Sequence, residues 1–520
     1  MNRLRKNILI AGLLFFLTFQ LQLKAQTLAA LPRSTPEEQG VSARAIRIFL
    51  DSVAQSKHEF HSFMLLRHGK VIAEAWWNPY RADLKHSMYS LSKSFTATAV
   101  GFAKAEGKLS LADKVVSFFP NDLSDSISQH LQQLNIKDLL TMSVGHDPDP
   151  TIQVVQDSNW VKSFLALPVK YEPGSRFLYN TTATYMLSAI VQKVTGQKVI
   201  DYLRPRLFEP LGIIGMDWET DLHGINTGGW GLRLKTEDIA RFAQLFLQKG
   251  IWNGKQLLPV GWVEEASTAH IIQHPQLSKA KRANSDWEQG YGYQMWRSLN
   301  NAYRGDGAFG QYAVVMPDQD AVIAITSETS DMQGELNLIW KVLLPAMENR
   351  KLPINKPANA ALQQKLKSLS LSINKGLDNP SVASLEGKTF IMEPNAQGVQ
   401  SLKFAFQKNN GQLILKTDTS SYTFNFSADN WQNAETNLPG PYLLNMAKNN
   451  LQGLAPFKVA GKYTWLDANT LQLVLRYIES PHSRILLCHF DGDKISLEIS
   501  NSFDFGASGN KVVLKGTRKL

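Results

Sequence analysis

Cysteine is almost absent: Cys488 is the only one among 520 residues. A single thiol closes no internal disulfide, and no Cys/His spacing of a metal site occurs, so neither a disulfide framework nor a zinc module organises the chain. Flanked by Leu486, Leu487 and Phe490, Cys488 reads as a buried thiol. Long apolar runs are equally scarce. The one present, "ILIAGLLFFLTF" near the start, falls short of the ~20 residues a spanning helix needs. Basic charge is scattered, with "SKAKR" (Ser278 to Arg282) as the sole cluster; this reads as a solvated loop and gives no nucleic-acid footprint. No repeat of constant period is present. With 43% apolar and 19% charged residues, the composition is that of a globular protein, neither disordered nor multi-span.

What is present begins with a leader. Arg3, Arg5 and Lys6 precede the apolar run, and Leu23-Lys24-Ala25 follows it, the form of a secretory signal peptide over residues 1–25 with small Ala25 before the cut. The competing reading is a retained membrane anchor. Without a cysteine after the run, a lipid anchor is not suggested. The signal-peptide reading predicts a periplasmic or secreted protein with no stable membrane association after processing. Removing the leader's four cations takes the formal charge of +10 to about +6, modest for this length.

A chain this long exceeds one core, so at least two domains are expected. Residues 31–350 alternate between strand and helix signals. "SFMLLRHGKVIAEAWW" (Ser62 to Trp77) is a hairpin around His-Gly-Lys, and "QYAVVMPDQDAVIAIT" (Gln311 to Thr326) a second around Pro317 to Asp320. Between them lie helices at Lys93 to Glu106, at "TYMLSAIVQKVTG" ending on Gly196, and at "KTEDIARFAQLFLQKG", with Thr236 as cap and Gly250 as stop. This order predicts an α/β (α+β) domain: one antiparallel sheet built from the first and last segments and flanked by inserted helices. Residues 351–385, rich in Lys, Asn, Pro and Ser, read as a linker with one helix. Residues 386–520 carry short alternating strands with Asn-Gly and Asp-Gly turns, predicting a C-terminal all-β domain, a sandwich or a lipocalin-like barrel, with no catalytic constellation of its own.

The chemistry concentrates in "YSLSKSFTATAVGFAKAEG", Tyr89 to Gly107. On a helix, Ser90 and Lys93 stand one above the other. A serine hydroxyl needs a base, and lysine serves when burial lowers its pKa. A plain capped helix with a snorkelling lysine is the structural alternative. Two further segments shift the weight: "YEPGSRFLYNTTATYMLSAIVQKVTG", with Tyr179 at a helix threshold, and "YRGDGAFGQYAVVMPDQDAVIAIT", a glycine-rich approach to the last hairpin.

With S-x-x-K, these segments have the order and context of the penicillin-recognising serine hydrolases. Residues from about Thr35 to Met347 resemble the class C β-lactamase family, which also holds esterases, D-aminopeptidases, DD-carboxypeptidases and small amide hydrolases. "LLTMSVG", "GGWGLRLKTEDIARFAQLFL" and "YGYQMW" resemble that family too. The resemblance implies Ser90 as acylated nucleophile, Lys93 as its base and Tyr179 as proton relay. It implies an oxyanion hole of the Ser90 and Ala308 amides, with Gly305-Asp306-Gly307 in the place of the family's K-T-G strand. It implies no metal or organic cofactor. A nearby Lys93 ammonium would favour the Tyr179 phenolate.

Two departures bear on substrate. Tyr179-Asn180-Thr181 replaces the family's Y-x-N, so the Thr181 hydroxyl stands for an amide unless Asn180 swings in. Asp306 replaces a substrate-carboxylate hydroxyl; Arg304 shares its strand face and is expected to compensate or pair with it, and Gly307 completes the substrate-binding strand. The expected substrates are therefore small neutral esters, or amides carrying an amine near Asp306. β-Lactam hydrolysis or D-Ala-D-Ala carboxypeptidation is the alternative, and a non-catalytic binding protein retaining the fold is the alternative of another class. His146 reads as a solvated loop residue, and His270 and His274 form no metal pair. Trp76, Trp77, Trp230 and Trp296 are candidates for an acyl pocket, with core packing the simpler role. Oligomeric state has no sequence signal.

Overall fold

The structure, a computed structural model, describes residues 30–371, 385–450, 454, 456–503 and 511–519. The expected leader (1–25) and residues 372–384 of the expected linker lie outside the described residues.

Strands β1 (Glu59–Arg67) and β2 (Lys70–Trp76) form the first hairpin. Its turn residues His68 and Gly69 have φ of 49° and 72°, the left-handed pair that matches strand twist. At the other end of the domain, β3 (Trp296–Arg297), β4 (Tyr303–Gly307), β5 (Gln311–Met316) and β6 (Ala321–Glu328) complete an antiparallel sheet in the order β2-β1-β6-β5-β4-β3. Strand β1 pairs with β6, from Glu59 opposite Glu328 to Arg67 opposite Ala321, so the first and last segments join in one sheet as expected.

Both faces of the sheet are covered. Phe63 and Leu65 of β1 pack with helix α1 (Ala43–Gln55), while Met64 and Leu66 face the helical core on the other side. That double burial is why "FMLL" is an unbroken apolar run instead of an alternating one. The second face carries α2 (Ser92–Ala105), α3 (Thr181–Thr195) and α4 (Thr236–Leu247). Gly196, at φ 70°, stops α3 as its position suggests. The cap of α4 differs from expectation. Lys235 occupies it, with the Asp238 carboxylate accepting its N–H, and Thr236 is already helical, its hydroxyl donating to Ser62 Oγ at 2.7 Å. The threonine oxygen ties the helix to β1 instead of to its own backbone.

The expected linker helix, α5 (Lys356–Lys367), packs on α1 and β2 and buries Leu362 completely. Beyond it, nine strands close a barrel: β7 (Thr389–Met392), β8 (Val399–Gln407), β9 (Asn410–Thr417), β10 (Ser421–Ser427), β11 (Phe457–Trp465), β12 (Thr470–Tyr477), β13 (Ser483–Asp491), β14 (Lys494–Asn501) and β15 (Val512–Arg518). The ring runs β10-β9-β8-β7-β15-β14-β13-β12-β11 and shuts where β10 meets β11. Strands β7 and β11 carried no clear sequence signal; in β11, Gly461 interrupts the inward set Val459, Tyr463 and Trp465. The turn expected at Asn410-Gly411 sits at Lys408-Asn409, and Gly411 belongs to β9, where a Cβ would lie 2.6 Å from the Phe406 ring. Cys488 is buried inside the barrel, and burial pushes its thiol up to about 12.

The barrel docks on the α/β domain through polar pairs. Arg476 donates to both Glu59 oxygens at 2.6 and 3.2 Å, Tyr80 donates to the Ser480 carbonyl, and Tyr442 and Asn449 donate to buried Glu219.

Barrel closure depends on the absence of a side chain at Gly461, where a Cβ would stand 2.0 Å from the Asn425 carbonyl oxygen. Gly461→Val is expected to destabilise the barrel by about 1–3 kcal/mol, read as a lowered midpoint in thermal unfolding.

Candidate active site

Ser90 does not begin the α-helix proper. It sits in a single 3-10 turn, Tyr89–Leu91, immediately before α2, and is partly exposed, while Lys93 one turn on is 1% exposed. The expected stacking of the two side chains holds: Lys93 Nζ donates to Ser90 Oγ at 3.0 Å. It also donates to the Gly229 carbonyl at 2.8 Å and the Thr181 hydroxyl at 3.3 Å. Thr181 therefore occupies the lysine-holding position of the missing amide. Burial lowers the Lys93 ammonium to about 7, against the opposing pull of Asp149 and Asp306.

Gly229 was not singled out by sequence reasoning, because a backbone carbonyl leaves no side-chain signature. Its loop threads between α2 and α3: a Cβ on Gly229 would lie 2.7 Å from Thr181 Cγ2, and Gly228, at φ 67°, gives its carbonyl to Thr96. The glycine pair in "GGWG" lets backbone approach the lysine.

Tyr179 reaches the same centre. Lys93 Nζ lies 5.0 Å from its ring centroid, and the ring stacks on Trp296 at 5.6 Å. The expectation of a phenolate is corrected. Burial, then the charge of Asp306, raises the Tyr179 pKa, and the opposing interaction with Ser90 does not offset them. Near neutrality this side chain is a proton donor, and the neutral fraction of Lys93 is the stronger base.

Asn180 does not swing into the site. Its Oδ1 accepts the Thr182 and Ala183 N–H groups as the cap of α3, and its Nδ2 donates to His146 Nδ1 at 3.1 Å. His146 is thus buried and held down to about 4 by desolvation, not solvated. His270 accepts no metal role either: it bonds the Glu265 carbonyl, and His274 meets Glu288. Among the described residues no His/Cys/Asp/Glu cluster suits a metal. Of the tryptophans, Trp296 touches the site; Trp77 packs on Phe60, Trp230 sits beside Trp160, and Trp76 lines the edge strand β2.

Strand β4 passes the Ser90 turn through its glycines. A Cβ on Gly305 would lie 2.5 Å from Leu91 Cδ1, and one on Gly307 2.1 Å from the Met88 carbonyl oxygen. Half-buried Ala308 follows in the chain. Arg304 and Asp306 do pair, Nε to Oδ2 at 2.9 Å, both buried. Arg304 is 0% exposed and also donates to Ser298 Oγ and the Asp286 carbonyl, so its expected role toward a substrate is corrected. Asp306 is likewise committed to its arginine and not a free anion. An acid that sequence reasoning passed over, Asp149, lies in an exposed loop close enough to act on Lys93, with Oδ1 accepting from Thr151.

The fold is that of a β-lactamase/transpeptidase-like α/β domain. The chain belongs to the Beta-lactamase family, whose model matches residues 50–344. A 6-aminohexanoate-dimer hydrolase of Paenarthrobacter ureafaciens is 25% identical over 57% of this chain and 80% of its own length. A protein of Escherichia coli K12 described as a D-alanyl-D-alanine carboxypeptidase is 27% identical over 24% of this chain and 33% of its own. Among solved structures, one described as a 6-aminohexanoate-dimer hydrolase from Bacillus anthracis aligns with TM-score 0.49 and 21% identity, covering 63% of this chain and 89% of its own.

Since only the neutral amine of Lys93 can take a proton, kcat/KM on an activated ester is expected to rise with pH through about 7 and then level. A profile flat across about pH 6–8 would contradict this. Lys93→Arg, permanently charged, is expected to lose roughly 10²- to 10⁴-fold in the same assay.

Proposed function

We propose that the protein is a serine hydrolase that works through an acyl-enzyme on small esters and on short amides bearing a free amine. The observation that carries the reading is Lys93, buried and 3.0 Å from the Ser90 hydroxyl, with its ammonium lowered to about 7 by desolvation. Ser90 Oγ attacks the substrate carbonyl while its proton passes to Lys93 Nζ. The resulting oxyanion lies between the Ser90 and Ala308 amides. Lys93, through the Tyr179 hydroxyl, returns the proton to the departing alkoxide or amine. Water then attacks the acyl ester, gives a proton to the same pair, and Ser90 leaves reprotonated.

Two features support the substrate class. The Arg304–Asp306 pair leaves no free cation on β4 to take a substrate carboxylate, in contrast to the strand by which β-lactamases of the family bind theirs. Asp149 presents a negative charge beside Lys93, suited to a substrate ammonium. A relative named for hydrolysing the 6-aminohexanoate dimer agrees with an amide of that kind. The basic and apolar leader ending at Ala25 supports export of the enzyme to the periplasm or beyond.

Steady-state rates on a short p-nitrophenyl ester, an ω-amino amide dimer and a cephalosporin test this reading. The ester and the amide are expected to turn over, with the cephalosporin slower by an order of magnitude or more, and Asp149→Asn to raise KM for the amide and not KM for the ester. A cephalosporin preferred over both would assign the site to β-lactam chemistry instead.

A further inference from the structure

The C-terminal barrel reaches the residue next to the candidate nucleophile. Tyr89 immediately precedes Ser90 and holds φ 44°, a left-handed conformation that a bulky residue keeps only when its surroundings impose it. Its hydroxyl meets His482 Nε2 at 2.6 Å, across 393 positions of sequence. His482 Nδ1 in turn meets Glu328 Oε1 at 2.6 Å, at the end of β6. A carboxylate only accepts, so Nδ1 carries the proton and Nε2 is free to accept from Tyr89. The chain is therefore directional: Tyr89 O–H to imidazole, imidazole N–H to Glu328.

The same imidazole also serves the other half of the expected oxyanion hole. Phe309, which follows Ala308, is left-handed as well, at φ 67°. Its ring lies 5.7 Å from that of Tyr89 and 4.7 Å, edge on, from that of His482. Two strained aromatic residues, each adjacent to one of the two amides, thus pack against one another and against a single buried histidine of the barrel. Tyr442, also from the C-terminal part of the chain, stacks on Tyr89 at 5.9 Å.

We propose that His482 is a positioning residue for Ser90: from the barrel it fixes the Tyr89 hydroxyl, and through Tyr89 the turn that presents Ser90 to Lys93. Glu328 sets the tautomer that makes this possible. The inference rests on Ser90 being the nucleophile, and makes the barrel part of the catalytic apparatus and not an appended binding module.

The test is kcat and KM on a p-nitrophenyl ester, with thermal unfolding alongside, for Tyr89→Phe, His482→Leu and the double variant. Tyr80→Phe serves as control, since it removes a different bond to the barrel, to the Ser480 carbonyl. Tyr89→Phe is expected to lower kcat roughly 10- to 100-fold with KM little changed, as expected of a misplaced reacting group. His482→Leu should match it, the double variant should lose no more than either, and Tyr80→Phe should retain wild-type kcat. If His482→Leu fails to fold, Tyr89→Phe, which deletes one oxygen, decides alone. Wild-type kcat in Tyr89→Phe, or an equal loss in Tyr80→Phe, would overturn the proposal while leaving the nucleophile assignment intact. Turnover retained by Ser90→Ala would overturn both.

Discussion

Everything in this site depends on a lysine taken out of water. Lys93 is enclosed by the Ser90 turn, the Gly229 carbonyl and the Thr181 hydroxyl, with no carboxylate among the described residues in hydrogen-bond contact. Three neutral acceptors satisfy its donors without stabilising its charge as a salt bridge would, so desolvation prevails and the amine loses its proton near neutrality. A paired Asp or Glu in the same place would favour an ordinary, protonated lysine and remove the base that the proposed mechanism needs.

The surrounding architecture follows from that constraint. The glycines of the 228–229 loop exist so that backbone can serve as acceptor, and those of β4 so that the strand can pass the Ser90 turn closely. Asp306, on the same strand, is paired with Arg304, which offsets part of its charge, and burial outweighs the pull that remains on Lys93. Tyr179 is raised where Lys93 is lowered, and the two environments divide the proton donor from the proton acceptor. The barrel reaches this centre through the Tyr89–His482 contact.

Much of this was readable from the chain, and the limits are physical. The three-residue spacing of Ser90 and Lys93 on a helix, the tyrosine at the start of α3 and the glycine-flanked strand are local patterns, and local patterns survive in sequence. The hairpins were legible for the same reason, their turns demanding left-handed or proline-started backbone. The acceptor role of Gly229 has no side chain to announce it. Asn180 looked like a substrate ligand because a capping asparagine and a reactive one share a residue type, and only its bonds to Thr182 and Ala183 separate them. The direction of the Tyr179 shift depends on burial and on Asp306, neither of which spacing reports. Contacts between the barrel and the Ser90 turn join residues hundreds of positions apart, and the inward face of β11 is broken by a glycine required by barrel closure.

The central claim is that Ser90 is an activated nucleophile. Intact-protein mass spectrometry after exposure to a fluorophosphonate tests it most directly. The account predicts a single stoichiometric adduct on the wild-type protein, mapped to Ser90 and absent from Ser90→Ala. An adduct that persists in Ser90→Ala, or none on the folded wild type, would contradict it.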